Sequence, residues 1–346
     1  MTSMTNLLAL AACGLIALPG LAPAATYKIR PFNNVAKLGN FTPVALSDNA
    51  VAVGTFSYVT GPQGSLAIEA THNEGITADH CGLQGIADRT ELTAATPYSF
   101  TTFVAGQCLL SGTGFVYDVA HNVTTQVAYP NALVTNVYGV NGGGLVAGRY
   151  YDQSSVRHGF YLQGSTYISF DPPGSVETDP LGMSPANTVF GTYLGADFSY
   201  HGFLFDEFFN TTVVDYPGAT GTQVNGLNGS NQAAGSVALP GSPIEKAFFW
   251  QNGAFTILPL AEAVGSEAFA LNENGVVTGN FADAANTQHG FVWKPSTGQV
   301  LIINAPGGGK NMVITAINNH AQVLGYYQKG KKSVGFVATC SGSGCF

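Results

Sequence analysis

A Gly-Phe pair recurs through most of the chain, at Gly114-Phe115, Gly159-Phe160, Gly202-Phe203, Gly290-Phe291 and Gly335-Phe336, with Ala247-Phe248 filling the one remaining place. The phenylalanines follow one another at intervals of 43 or 45 residues. A period of that length restricts the chain to repeated supersecondary units, because one such unit cannot bury its apolar face without a neighbour.

A second element keeps the same period. A small residue, an aliphatic and usually Asn or Ser precede a turn, an aliphatic and a glycine. Gly139-Val140-Asn141 leads to Gly148, Gly182-Met183-Ser184 to Gly191, Gly226-Leu227-Asn228 to Gly235, Ala270-Leu271-Asn272 to Gly279, and Ala316-Ile317-Asn318 to Gly325. Upstream, Ala45-Leu46-Ser47 leads to Gly54, and Gly85-Ile86-Ala87 leading to Ala94 reads as an eroded copy. A third element is a β-branched strand ending in a Pro-Gly-type turn, clearest in Val213-Val214-Asp215-Tyr216-Pro217-Gly218. Each unit of about 44 residues therefore holds four short strands, the spacing of a β-propeller blade.

The composition suits that reading. Glycine supplies 44 of the 346 residues, and only 9% are charged, against about 25% in an average globular protein. Helical bundles need charged outer faces that this chain cannot supply. The expected fold is all-β, a single-domain propeller over residues 26–346 with seven blades, six or eight being the neighbouring counts. Residues 27–31 read as an outer strand with no unit before it, and 334–339 as a third strand with no outer strand after it. Pairing the two ends would close the ring and leave no sheet edge open.

Residues 7–22 form an apolar run broken by Gly14, Pro19 and Gly20, and Ala22-Pro23-Ala24 fits a small-x-small cleavage site. This predicts a signal peptide over residues 1–25, cut near Ala24, and an extracellular or periplasmic protein with no membrane span after cleavage. Loss of Cys13 would leave Cys81, Cys108, Cys340 and Cys345 as candidate disulfide cysteines. Three pairings are formally possible. Cys340 and Cys345 bracket a Gly-Ser loop, and the remaining pair would be Cys81 with Cys108.

The triplets His158-Gly159-Phe160, His201-Gly202-Phe203 and His289-Gly290-Phe291, with Pro217-Gly218-Ala219 and Ala316-Ile317-Asn318, resemble the bacterial extracellular repeat family named after His-Ala-Phe (HAF). The resemblance spans residues 27–336. It implies secretion and a repeat fold, and it carries no catalytic residue. Glycine replaces the family's alanine in most copies here.

With 12 basic residues and a net charge of −8, the chain lacks the electrostatic footprint of a nucleic-acid binder. His72, Asp79, His80 and Cys81 form the densest polar cluster, and a structural cysteine is the favoured reading there. His158, His201 and His289 share one repeat position, which points to a structural role before Gly-Phe. The candidate site is a ring on the innermost strands, three residues before each small residue, comprising Thr42, Gly82, Asn136, Asp179, Gln223, Glu267 and Val313. Of these, Asn136, Asp179, Gln223 and Glu267 are the candidate ligand-binding residues at the mouth of a central channel. The expected function is a monomeric binding or scaffold module for a carbohydrate or a surface protein, without cofactor, metal site or assigned catalytic residue. The alternative is a polysaccharide hydrolase or lyase using Asp179 and Glu267.

Overall fold

The computed structural model describes residues 25–32, 40–46, 48, 51–57, 63–69, 75–78, 90–95, 103–108, 111–118, 121, 123–261 and 263–345. Residues 1–24 of the predicted signal segment, the cluster of His72, Asp79, His80 and Cys81, and Gly82 lie outside the described residues. Within them every regular element is a strand, and no helix is long and apolar enough to cross a membrane.

The strands form antiparallel sheets, five of four strands and one of eight among the described residues. Each sheet is named here by the first residue of its inner strand. The Asn40 sheet runs through Asn40–Leu46, Val51–Ser57, Gln63–Glu69 and Gly75–Ala78. The Thr90 sheet runs through Thr90–Ala95, Phe103–Cys108, Thr113–Asp118 and Val123–Val127. The Val134 sheet follows with Val134–Val140, Val146–Tyr151, Arg157–Gln163 and Thr166–Phe170.

The eight-stranded sheet has two halves. One is Ser175–Met183, Val189–Gly195, Tyr200–Phe205 and Thr211–Val214. The other is Gly221–Leu227, Ala233–Ala238, Glu245–Gln251 and Ala254–Ile257. They meet at a single parallel pairing, Tyr200 with Gly221. The Gly265 sheet comprises Gly265–Leu271, Val277–Ala282, Gln288–Lys294 and Gln299–Ile303. The last sheet has Lys310–Ile317, Val323–Lys329 and Lys332–Ser341, and its fourth strand is Thr26–Pro31, in register from Thr26 opposite Ser341 to Pro31 opposite Phe336.

The repeat signals acquire physical causes here. Each inner strand carries a bulge at one repeat position, for example between Val137 and Gly139 and between Ala268 and Ala270. The bulge turns a carbonyl toward the second strand, and the glycine there accommodates it. A Cβ on Gly148, Gly191, Gly235 or Gly279 would lie between 1.8 and 2.2 Å from the carbonyl oxygen of Asn136, Asp179, Gln223 or Glu267, respectively. Phe115, Phe160, Phe203, Phe248, Phe291 and Phe336 are fully buried, and the apolar clusters lie between successive sheets. In one of these, Phe190 and Leu204 of the Ser175 half pack with Val224 and Phe248 of the Gly221 half.

The repeated asparagine caps the turn after the inner strand. Asn228 Oδ1 accepts from the amides of Ser230 and Gln232, and Asn272 Oδ1 from those of Asn274 and Val276. The same side chains reach onward, Asn228 Nδ2 donating to Asn272 O and Asn272 Nδ2 to Asn318 O. A second chain of contacts runs beside it. Gly229 N donates to Glu273, Glu273 N to Asn319 Oδ1, and Asn319 N to Asp48 Oδ1 at 2.8 Å. That last bond joins the Lys310 sheet to the Asn40 sheet, whose inner strand packs against the last sheet.

One repeat assignment needs correction. Ala94 stands on an inner strand, opposite Ala105, and the glycine of that sheet is Gly106, opposite Leu92 and Phe115. Residues 103–108 are therefore the second strand of a full unit. Glu91, paired with Gln107, takes the ring position that the sequence reading gave to Gly82.

Candidate functional site

Register fixes the ring. Asn136 pairs with Arg149, Asp179 with Thr192, Gln223 with Ser236 and Glu267 with Asn280. These four side chains do not converge as one cluster. Asn136 and Asp179 each reach the sheet that precedes their own, at the residue following that sheet's second-strand glycine. Asn136 Nδ2 accordingly donates to Gln107 Oε1. Asp179 receives Arg149 at 2.5 Å through Oδ1 and Arg157 through Oδ2, while Arg157 also holds Glu177. The Arg149 guanidinium lies 5.1 Å from the Tyr138 ring and 5.6 Å from the Tyr151 ring, an arrangement that suits a planar cation between aromatic faces.

The same register position, the residue after the second-strand glycine, holds Thr192 in the Ser175 half and Ser236 in the Gly221 half. The hydroxyls of both are buried without a hydrogen-bond partner, as is Arg149 Nε. Unpartnered buried polar atoms at one repeat position in three successive units mark this position as polar, because such atoms are otherwise rare in a packed interior.

Glu267 differs from Asp179 in its surroundings. Asn225 Nδ2 donates to its Oε1 at 3.2 Å. Burial, followed by the nearby Glu245 carboxylate, pushes its pKa up to about 7. It lines a groove of about 280 Å³ with Glu245, Ser266, Phe269, Asn280 and Gln288. Asn280 is anchored there, its Oδ1 accepting from Ile314 N at 3.0 Å. Asp179 and Glu267 belong to different sheets. Both carboxylate oxygens of Asp179 are engaged by guanidiniums.

The repeated histidines form a second constellation. His201 Nδ1 lies 2.7 Å from Asp215 Oδ2 and its Nε2 3.2 Å from Asp197 Oδ1. His158 repeats this with Asp171 and Asp152, at 2.7 and 3.7 Å. His289 does so with Asn304 and Asp283. Tyr150, Tyr193 and Phe281 stack on the three imidazoles at 4.9 to 5.1 Å between centroids. Each histidine thus pins the turn after the second strand to the chain leaving the outer strand. The sequence located these rings but not their partners, which lie up to 15 residues away.

The turn aspartates are occupied as caps. Asp152 accepts from the amides of Ser154 and Val156, and Asp283 from those of Ala285 and Thr287. Backbone donation, first of all, lowers the pKa of Asp152, Asp197 and Asp283. For His201, burial works against the charged ring, but Asp215 and Asp197 outweigh it, and the pKa is raised above 6.5. Its stabilising contribution is therefore complete below pH 6.5 and is lost as pH rises through the raised value, while that of the aspartates is lost as pH falls below the carboxylate range. Asp215→Asn is expected to move the His201 titration midpoint downward in an NMR pH series of the ring protons. An unmoved midpoint would show that the Asp215 contact does not hold the charged ring.

Cys340 and Cys345 are joined in a disulfide. Cys108 is disulfide-bonded as well, and Cys81, its expected partner, lies outside the described residues. No group of three or more potential metal ligands occurs among the described residues.

No family model matches the chain, and no curated protein matches it in sequence. Among solved structures it is similar to a streptogramin B lyase, with a TM-score of 0.55 and 11% identity over 90% of this chain and 97% of that one. It is similar to a prolyl endopeptidase, with a TM-score of 0.59 and 10% identity over 91% of this chain and 53% of that one. The β-propeller domain of the Trilobed protease of Pyrococcus furiosus aligns with a TM-score of 0.54 and 8% identity, over 87% of this chain and 95% of that one. At such identities the likeness is one of fold, and the fold is an all-β propeller.

Proposed function

We propose that the chain is an exported binding module of the HAF-repeat type, a closed seven-bladed propeller that takes its ligand in the groove beside Glu267. The five four-stranded sheets and the two halves of the eight-stranded sheet serve as the blades. The pairing of Thr26–Pro31 with Lys332–Ser341 supports closure, as does the Asn319 to Asp48 bond. The apolar run and the Ala22-Pro23-Ala24 site support export, and the Cys340–Cys345 bridge suits an oxidising compartment.

The observation that carries the binding reading is the groove itself. It combines carboxyls, an amide, a hydroxyl and an aromatic face at one edge of the ring, the mixture through which saccharides are recognised. A hydrolase or lyase using Asp179 with Glu267 gains less support, since the two arginines occupy Asp179. A glycan array probed with the full chain is expected to show binding that Glu267→Gln weakens at least tenfold. An array without any Glu267-dependent signal would overturn the reading.

A further inference from the structure

The repeat allows Glu267 to be compared with a copy of itself. Asp179 occupies the same register position in the Ser175 half, and the residue facing it from the preceding sheet is Arg149, the residue after Gly148. In the Gly221 half the residue after Gly235 is Ser236. Where one unit places a guanidinium on the acid of the next, the other has at the same register position a small hydroxyl that is 1% exposed and without a partner. A second carboxyl, Glu245, has joined the groove. Among the described residues that line it there is no Lys, Arg or His. The unit has kept the anion, added another, and dropped the cation.

We infer that the groove receives the cation from outside, as the ammonium group of an amino sugar placed between Glu245 and Glu267 as Arg149 is placed against Asp179. This rests on the reading of the groove as the ligand site and adds the class of ligand. Two carboxyls facing one small volume repel each other when both are ionised, and a cation between them removes that cost. Ser266, Asn280 and Gln288 offer both donors and acceptors to ring hydroxyls, and Phe269 offers an apolar face to the sugar ring. A neutral N-acetyl group has no charge to exchange for the desolvation of Glu267. Because burial and Glu245 raise the Glu267 pKa to about 7 in the free protein, ammonium binding is accompanied by proton release from Glu267 at pH 6, whereas at pH 8 the carboxyl is already ionised and the largely unprotonated amine takes up a proton on binding.

The test is calorimetry on the full chain with a glucosamine tetramer and its fully N-acetylated counterpart, at pH 6 and pH 8, in buffers of differing ionisation enthalpy. The glucosamine tetramer is expected to bind at least tenfold more tightly, with buffer-dependent heat at pH 6. Glu267→Gln and Glu245→Gln should each weaken it at least tenfold while leaving the thermal transition in place. Equal affinity for the two tetramers would overturn the ammonium assignment and leave the saccharide groove standing. Absence of binding to both overturns the assignment, and together with a silent glycan array it overturns the groove as well. Ser236→Arg, which would supply the internal cation, should abolish glucosamine binding, and retained binding in that variant would place the ammonium elsewhere.

Discussion

Gly235→Ala is expected to destabilise the protein by at least the upper end of the roughly 1–3 kcal/mol typical of overpacking, seen as a lower urea midpoint with an unchanged slope. The added Cβ would stand 1.8 Å from Gln223 O and 3.1 Å from the Phe248 ring. Neither neighbour can yield cheaply, because the carbonyl is fixed by the inner-strand bulge and the ring is fully buried. Gly221→Ala is the internal control, since its Cβ would meet nothing nearer than 3.7 Å and a shift of less than about 0.5 kcal/mol is expected there. Equal effects at the two positions would remove the bulge as the reason for the repeated glycine.

Phe203→Ala should cost about 3–5 kcal/mol, the range for emptying a buried phenylalanine site. Phe203 is fully buried, and the Phe170 ring packs against it at 6.0 Å between centroids. Phe208, in the next turn of the same unit, is 74% exposed. Phe208→Ala should therefore leave the midpoint within about 0.5 kcal/mol of the parent. The pair separates the repeated phenylalanine from mere hydrophobicity, and a small loss at Phe203 would mean that the inter-sheet core collapses around the gap.

Much of the architecture could be read from the chain, because the residues that set it act locally. The glycine facing a bulge, the phenylalanine eleven to thirteen residues on and the asparagine or serine that caps a turn recur at nearly fixed offsets in five of the units, so periodicity reveals them. The Thr90 unit was misread because its glycine, Gly106, sits among residues that carry neither the asparagine nor the His-Gly-Phe signature. The surroundings of the ring residues were not legible in the sequence. What distinguishes Asp179 from Glu267 is the register position after the second-strand glycine of the preceding unit, Arg149 or Ser236, about 30 positions earlier. No local pattern announces such a partner. It becomes visible only when register aligns the units. The same holds for His201, whose turn partner Asp197 is close in sequence while Asp215 comes from beyond the outer strand.

The origin of the outer strand of the last sheet bears on how the molecule is made. Thr26–Pro31 leaves the ribosome early, and its partner, residues 336–341, emerges some 300 residues later. At about 5–20 residues per second, that strand waits on the order of 15–60 s for its mate. Every other sheet can assemble from consecutive strands in the meantime. An unpaired strand of this kind invites pairing with a neighbouring nascent chain. Lys28 and Arg30 are two of only 12 basic residues in the whole protein, and they alternate along this strand, with Pro31 at its end. Charge and proline are how proteins discourage stray edge pairing, so this chain places scarce cations on the segment that remains alone longest.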